Sequence, residues 1–239
     1  MKFFNLSTLV TTAAVGFLIS LTPVRAAVLV DYEIIDESPS VQAGITASDF
    51  TPGPFTDYDS NDFGFATTST IRNAFYDGLS GSGESAPQNL ADSITEGFFF
   101  EFTMTGVDMT ITDFDFQFGG ERGGGGNTAH TGFYSAQYSL DGFSTAGTQF
   151  GTGSRANNSN SAAYTLQEIS VSDPALTNYT GTITFRIYSW DVPTVAPSSA
   201  QQVRLFDVQV LGTAIPEPTS TALFAAAGLL LVVRHRRKS

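Results

Sequence analysis

The segment Phe98 to Thr105 (FFFEFTMT) alternates, with Phe98, Phe100, Phe102 and Met104 on one side of an extended chain and the intervening residues on the other. Thr110 to Phe118 repeats the pattern, opposing Phe114, Phe116 and Phe118 to Asp113, Asp115 and Gln117. In Thr182 to Trp190, Ile183, Phe185 and Ile187 alternate with Thr184, Arg186 and Tyr188, as in a strand with one buried and one wet face. Ala27 to Ile35, Tyr134 to Leu140, Tyr164 to Val171 and Val203 to Leu211 complete seven predicted strands, separated by clusters of Gly, Asn, Asp, Ser and Pro. Between Ala27 and Ala214 no apolar spacing of three and four is sustained. The pattern predicts one all-β domain over residues 27–214, a two-sheet antiparallel sandwich of jelly-roll type. Two stretches read as long exposed loops, Gly119 to Gly132 (GGERGGGGNTAHTG) and Thr152 to Ser161 (TGSRANNSNS). Residues 36–62, rich in Pro, Ser and Asp, are expected to wrap the sandwich edge with short strands only.

The hydrophobic pattern changes at both ends. Residues 1–26 read as a secretory signal peptide: Lys2 supplies a positive start, Leu6 to Leu21 an apolar stretch, and Val24-Arg25-Ala26 small residues three and one before a cut after Ala26. An uncleaved N-terminal anchor is the alternative, but the run is short for a span of ~20 residues. At the other end stand, in order, Pro216-Glu217-Pro218, an apolar helix predicted over residues 219–233 and a basic tail over residues 234–239 carrying Arg234, Arg236, Arg237 and Lys238. The apolar run is close to the shortest that crosses a thin bilayer, and the basic tail would stay cytoplasmic. A plain tail anchor is the alternative there.

A Pro-Glu-Pro motif, a short apolar helix and a basic tail at the C-terminus resemble the PEP-CTERM sorting signal of Gram-negative bacteria. The resemblance covers only residues 215–239, about a tenth of the chain. It implies recognition of Pro216-Glu217-Pro218 by an exosortase-type membrane protease, after a signal peptidase has acted at the N-terminus. It further implies an inner-membrane-anchored precursor and release to the cell surface or the exopolysaccharide matrix. The strand order of the middle resembles, more loosely, bacterial surface jelly rolls and carbohydrate-binding modules. Its most familiar element is the closing strand RLFDVQVLGT, Arg204 to Thr213.

Charge sharpens this picture. The chain carries a net charge of −12, but its basic residues gather at the two ends. The middle holds five arginines (Arg72, Arg122, Arg155, Arg186 and Arg204), no lysine and 22 of the 23 acids, a net charge of −17. Such a surface repels nucleic acid, attracts divalent cations and would meet acidic polysaccharide through bridging cations. The absence of cysteine excludes disulfide scaffolds, thiol nucleophiles and zinc-thiolate sites.

Catalytic chemistry finds little to use. Outside the tail His130 is the sole histidine, placed in the glycine-rich stretch, and no serine sits in a Gly-x-Ser-x-Gly elbow. Glycoside hydrolysis needs two carboxylates at a set separation, and Glu96, Glu101, Asp113, Asp115 and Glu121 are the candidates; among so many acids neighbours arise by chance. A structural calcium is the one cofactor suggested: Asp57, Asp59, Asn61 and Asp62 offer oxygen ligands, without the glycine or final glutamate of an EF-hand. Asp31, Glu33 and Asp207 form a second acidic group. Sugar stacking would fall to Tyr188 and Trp190, with Arg186 to bond hydroxyls, or to Tyr134 and Tyr138 on a neighbouring strand. The residues therefore favour a non-catalytic surface or matrix protein, with a carbohydrate-binding lectin-like module as the alternative and a glycosidase or lyase behind both.

Overall fold

The computed structural model describes residues 26–33, 38–54, 63–68, 71–78, 87–122, 130–157, 163–193 and 201–214. The strands are β1 (Ala27–Tyr32), β2 (Ser40–Val41), β3 (Thr46–Ala47), β4 (Thr51–Pro52), β5 (Phe63–Thr68) and β6 (Ile71–Gly78), followed by one helix, α1 (Leu90–Glu96). Then come β7 (Phe99–Arg122), β8 (His130–Ser139), β9 (Thr148–Asn157), β10 (Ala163–Ser170), β11 (Tyr179–Pro193) and β12 (Gln201–Thr213).

All pairings are antiparallel, and β7 belongs to two sheets. Its first half lies between the short β3 and β4 on one side and β11 on the other, in a front sheet that continues through β8 to β9. Its second half lies between β12 and β10, in a back sheet that continues from β12 to β1 and β2. The strand turns between the sheets at Gly106–Asp108. Asp108 takes a φ of 48°, and β11 slips register there, pairing Gly181 with Gly106 and Tyr179 with Met109. A side chain at Gly106 would meet Ile45 Cδ1 at 2.5 Å and Met109 Sδ at 2.6 Å, so the glycine lets these two side chains close over the corner. Strand β12 also changes partner along its length: its start pairs with β6, its end with β1, and Asp207 (φ 56°) forms the bulge between.

The alternation seen in the sequence sets the core. Phe100, Phe102 and Met104 of the front half of β7 and Phe114, Phe116 and Phe118 of its back half point inward and are buried. Phe102 stacks on Phe185 at 5.1 Å and on Phe114 at 6.2 Å, which ties the sheets together through their shared strand. Tyr134 sets its ring edge-on to Phe116 and Phe118 at 4.9 and 5.0 Å. On the far side Tyr32 packs on Phe102 at 4.9 Å and donates to the Ser48 carbonyl at 2.6 Å; burial pushes its hydroxyl pKa up.

The two-sheet antiparallel sandwich is thus as expected, but several elements differ. Helix α1 was not foreseen. Asn89 caps it by accepting from the Asp92 N–H, and Gly97 at φ 73° ends it. Its role is at the edge of β11: β7 pairs with β11 only up to Tyr188, and beyond that Ser93 Oγ donates to the Ser189 carbonyl while the Asp191 N–H donates to Pro87. Gly119 and Gly120, expected in a loop, are paired on both sides by β10 and β12. Thr152 to Asn157, also expected as loop, continue β9. Strands β5 and β6 were missed. No described helix is long and apolar enough to cross a membrane; residues 1–25 and 215–239, which carry the signal segment and the apolar run, lie outside the described residues.

Candidate functional site

The outer face of the front sheet gathers most of the side chains with binding chemistry. Antiparallel register places Glu101, Arg186 and Gln137 in one row across β7, β11 and β8, and Trp190 beside Phe133 two rows further on. Arg186 makes several contacts at once. Its Nε donates to Glu101 Oε2 at 2.6 Å, its Nη1 reaches the Tyr188 hydroxyl at 3.4 Å, and its guanidinium carbon lies 4.0 Å from the ring centres of both Phe99 and Phe143. Phe143 comes from the connection between β8 and β9, which folds back over the sheet. Ser139 Oγ accepts from the N–H groups of Asp141 and Phe143 and donates to Asp141, and Phe143 itself adopts φ 62°. The hydrogen bonds from Ser139 and Thr145 hold the Asp141 carboxyl below the usual range. Under this flap Gln137 donates to Ser135, which donates to Gln149.

The residues predicted to touch sugar therefore separate. Tyr188 is only 2% exposed and packs edge-on against Phe99 at 5.3 Å, so it is part of the covered layer and cannot stack on a ligand. Arg186 bonds Glu101 through Nε and lies against two rings, which makes it a tie within this layer, while its side chain stays 21% exposed. Tyr134 and Tyr138 point into the core, Tyr134 to Gln167 and Tyr138 to Asp173. Burial and the Asp173 bond push Tyr138 up to about 12. Trp190 stays half-buried, and its ring lies parallel to that of Phe133 (4° between planes, centroids 5.6 Å apart). Phe133 was not singled out from the sequence. The cross-strand position that makes it a partner depends on the β8–β11 register, which periodicity along one strand does not carry.

The candidate catalytic carboxylates are dispersed. Glu101 lies on the outer face of the front sheet, Asp113 and Asp115 on the outer face of the back sheet, with the phenylalanine core between them. Glu96 ends α1, and the side chains of Glu121 and His130 lie outside the description, although His130 begins β8 opposite Pro193 rather than standing in a loop. Burial, then Asp113 and Glu168, raise the Asp115 pKa. Asp207 is raised by burial and by Asp31 and Glu33, which shows that this acidic group does come together; Gln209 bonds Asp31 at 3.2 Å. Among the described residues no three acids or histidines are arranged to hold a metal ion. Asp57, Asp59, Asn61 and Asp62 lie outside the described residues, as do Pro216, Glu217, Pro218, Arg234, Arg236, Arg237 and Lys238.

No family model matches the chain, and no curated protein matches it. Among solved structures it is similar to a carbohydrate-binding module of family 28 specific for non-crystalline cellulose, at 12% identity and a TM-score of 0.36 over 66% of this chain and 92% of that one. It is similar too to a cleaved adhesin domain of Lys-gingipain from Porphyromonas gingivalis, at 12% identity and TM-score 0.39 over 78% of this chain and the whole of that one. A family 11 carbohydrate-binding module of a Clostridium thermocellum cellulase follows at 10% identity and TM-score 0.31, over 78% and 98%. Likenesses this distant transfer no ligand.

Proposed function

We propose that this chain is an exported, non-catalytic β-sandwich of jelly-roll type, sorted through an exosortase-type pathway to the cell surface or extracellular matrix. The observation that carries the non-catalytic part is the placement of the carboxylates: Glu101 is tied to Arg186 and separated by the core from Asp113 and Asp115, which stand side by side along one strand face rather than across a cleft. A hydrolase would need two of them in one cleft. The sorting part rests on Pro216-Glu217-Pro218, the apolar run and the basic tail in sequence. Intact-mass measurement of protein from envelope and culture medium tests it. Loss of residues 1–26 and of the segment after the motif supports the reading, and a retained C-terminal helix overturns it. The E217A variant should be exported but held in the membrane.

The half-buried Trp190–Phe133 pair favours a second reading, a glycan-binding surface module. Two parallel rings at the wet end of a sheet face offer an apolar platform for the C–H face of a sugar, and Thr131 and Ser154, the neighbours across β8 and β9, offer hydroxyls beside it. Retention on the host's own exopolysaccharide should be lost in W190A and F133A and kept in Y188F; equal retention of all four proteins would remove this reading. Calcium at Asp57, Asp59, Asn61 and Asp62 belongs to the same proposal, and is tested by whether millimolar calcium raises the melting temperature of the parent but not of D57N D59N.

A further inference from the structure

We infer that in the membrane-anchored precursor, before exosortase-type cleavage, the sandwich stands on end, with the Gly106–Asp108 corner resting against the lipid bilayer and the Trp190–Phe133 platform held at the far end; this rests on the reading of residues 219–233 as a membrane anchor. The register supplies the geometry. Ala27 pairs with Gly212, which pairs with Ile111, and Thr213 pairs with Thr110. The start of the first strand and the end of the last therefore leave the fold side by side, next to the corner of β7. Both apolar segments of the chain, one before Ala27 and one after Ala214, are joined to this same end.

The connection is short. Strand β12 runs to Thr213, and Ala214 still packs against the core. Five residue steps then separate Ala214 from Thr219, where the apolar run begins. Fully extended, these span at most ~18 Å, and two of the connecting residues are prolines. No long linker lets the domain turn over.

The same end carries two exposed apolar side chains on separate strands: Val28 at 40% and Val107 at 39% exposure. Val107 is at the tip of the corner. Asp108, which follows it, is turned back to bond Thr180. The partner that fits is the zwitterionic surface of a bilayer, because the strongly acidic domain would be repelled by an anionic one. Strand β11 measures the distance to the other end: Tyr179 pairs with Met109 at the corner, and Trp190 lies eleven residues on, ~36 Å away along a strand. The tether thus presents the platform outward and leaves the corner facing lipid.

The single tryptophan makes this measurable. The full-length chain is reconstituted with phosphatidylcholine vesicles, with and without brominated acyl chains. The parent should float with the vesicles, and its Trp190 emission should be the same in both lipids. In W190F V107W, and independently in W190F V28W, brominated lipid should remove most of the emission. Failure of the parent to float would overturn the anchor reading itself. Flotation with quenched Trp190, or with unquenched tryptophan at both 107 and 28 in variants whose far-ultraviolet spectra match the parent, would leave the anchor standing and overturn the end-on orientation.

Discussion

Replacing Asp191 by asparagine should make the protein more stable by ~4 kcal/mol at pH 8 but by only ~1.7 kcal/mol at pH 5. Asp191 is 3% exposed on the inner face of β11, and its Oδ1 has no hydrogen-bond partner. Burial pushes its carboxyl from an ordinary 3.8 to about 7, against the downward pull of the Val192 N–H. Below pH ~4 both the folded and the unfolded chain hold this proton, and the group costs the fold nothing. From there to about pH 7 the folded chain keeps a proton that the unfolded chain has released, so stability falls as pH rises. At ~1.4 kcal/mol per pH unit, some three units amount to ~4 kcal/mol lost by pH 8.

Asparagine resembles the protonated acid in shape and charge and does not titrate, so D191N escapes that loss. Arg155 sets how much of it is seen. Asp191, Gly132 and Arg155 stand in one row across β11, β8 and β9, and Arg155 Nη1 is also buried without a partner. If the arginine swings across the glycine toward an ionised Asp191, part of the cost returns, and R155M should then enlarge the difference between D191N and parent. Urea unfolding followed by Trp190 emission at pH 5 and pH 8 is the assay. Comparing variant with parent at each pH cancels the self-repulsion common to both. A D191N protein no more stable than its parent at pH 8, or one stabilised equally at both values, would refute the reasoning.

Arg186→Lys should destabilise by ~1–2 kcal/mol in urea unfolding despite keeping the charge, because an ammonium cannot fill the slot between Phe99 and Phe143 while holding Glu101. Gly153→Ala should cost ~1–3 kcal/mol, since its Cβ would lie 2.5 Å from Tyr134 Cε1 and must displace a ring bonded to Gln167; Gly142→Ala, where nothing lies within 4 Å but φ is +69°, should cost less than ~2 kcal/mol in the same assay. Phe102→Ala removes the ring that joins the two sheets and should cost ~3–5 kcal/mol, read as a fall in urea midpoint with unchanged slope.

The strands with strict alternation were legible because phenylalanine marks most inward positions of β7 on both sides of its corner, with Met104, Met109 and Ile111 filling those nearest the corner. The corner itself was not. Val107 and Asp108 break the period, and only the contacts of Gly106 with Ile45 and Met109 show why the chain turns there instead of ending. Of the two expected loops, the described parts (residues 119–122, 130–132 and 152–157) are strand, and for the last stretch the reason is visible. In β9 Gly151 makes room for Ile169 of the back sheet and Gly153 for Tyr134 of the adjacent strand, so these glycines reflect large neighbours rather than a turn. Tyr188 was placed on the wet face correctly by alternation, yet it is buried, because Phe99 of the neighbouring strand packs edge-on against it and Arg186 lies beside it. Alternation tells which side of a strand a residue faces; it does not tell which side chains will cover it.

That covering decides where a ligand could approach. The outer face of the back sheet presents Asp113, Asp115, Glu168 and Asp31 in neighbouring rows, and burial together with Asp113 and Glu168 raises the Asp115 pKa, so an acidic polysaccharide finds repulsion there. On the front sheet the one exposed-face acid of the central row, Glu101, is neutralised by Arg186, and the pair is stacked between rings that keep it in place. The front face therefore has the lower charge density, and its uncovered end is where Trp190 and Phe133 lie. Arg186 supports a glycan surface on this reading without touching the glycan: it removes the Glu101 charge from beneath the platform and pins the flap that limits its extent. R186K and E101Q should then weaken polysaccharide retention only as far as they loosen the Phe143 flap. Adding 0.5 M salt, which screens repulsion from the back sheet, should strengthen retention of the parent if the polysaccharide is acidic. Weaker retention at high salt would mean that an attractive charge contact holds the glycan, and would move the site away from Trp190 and Phe133.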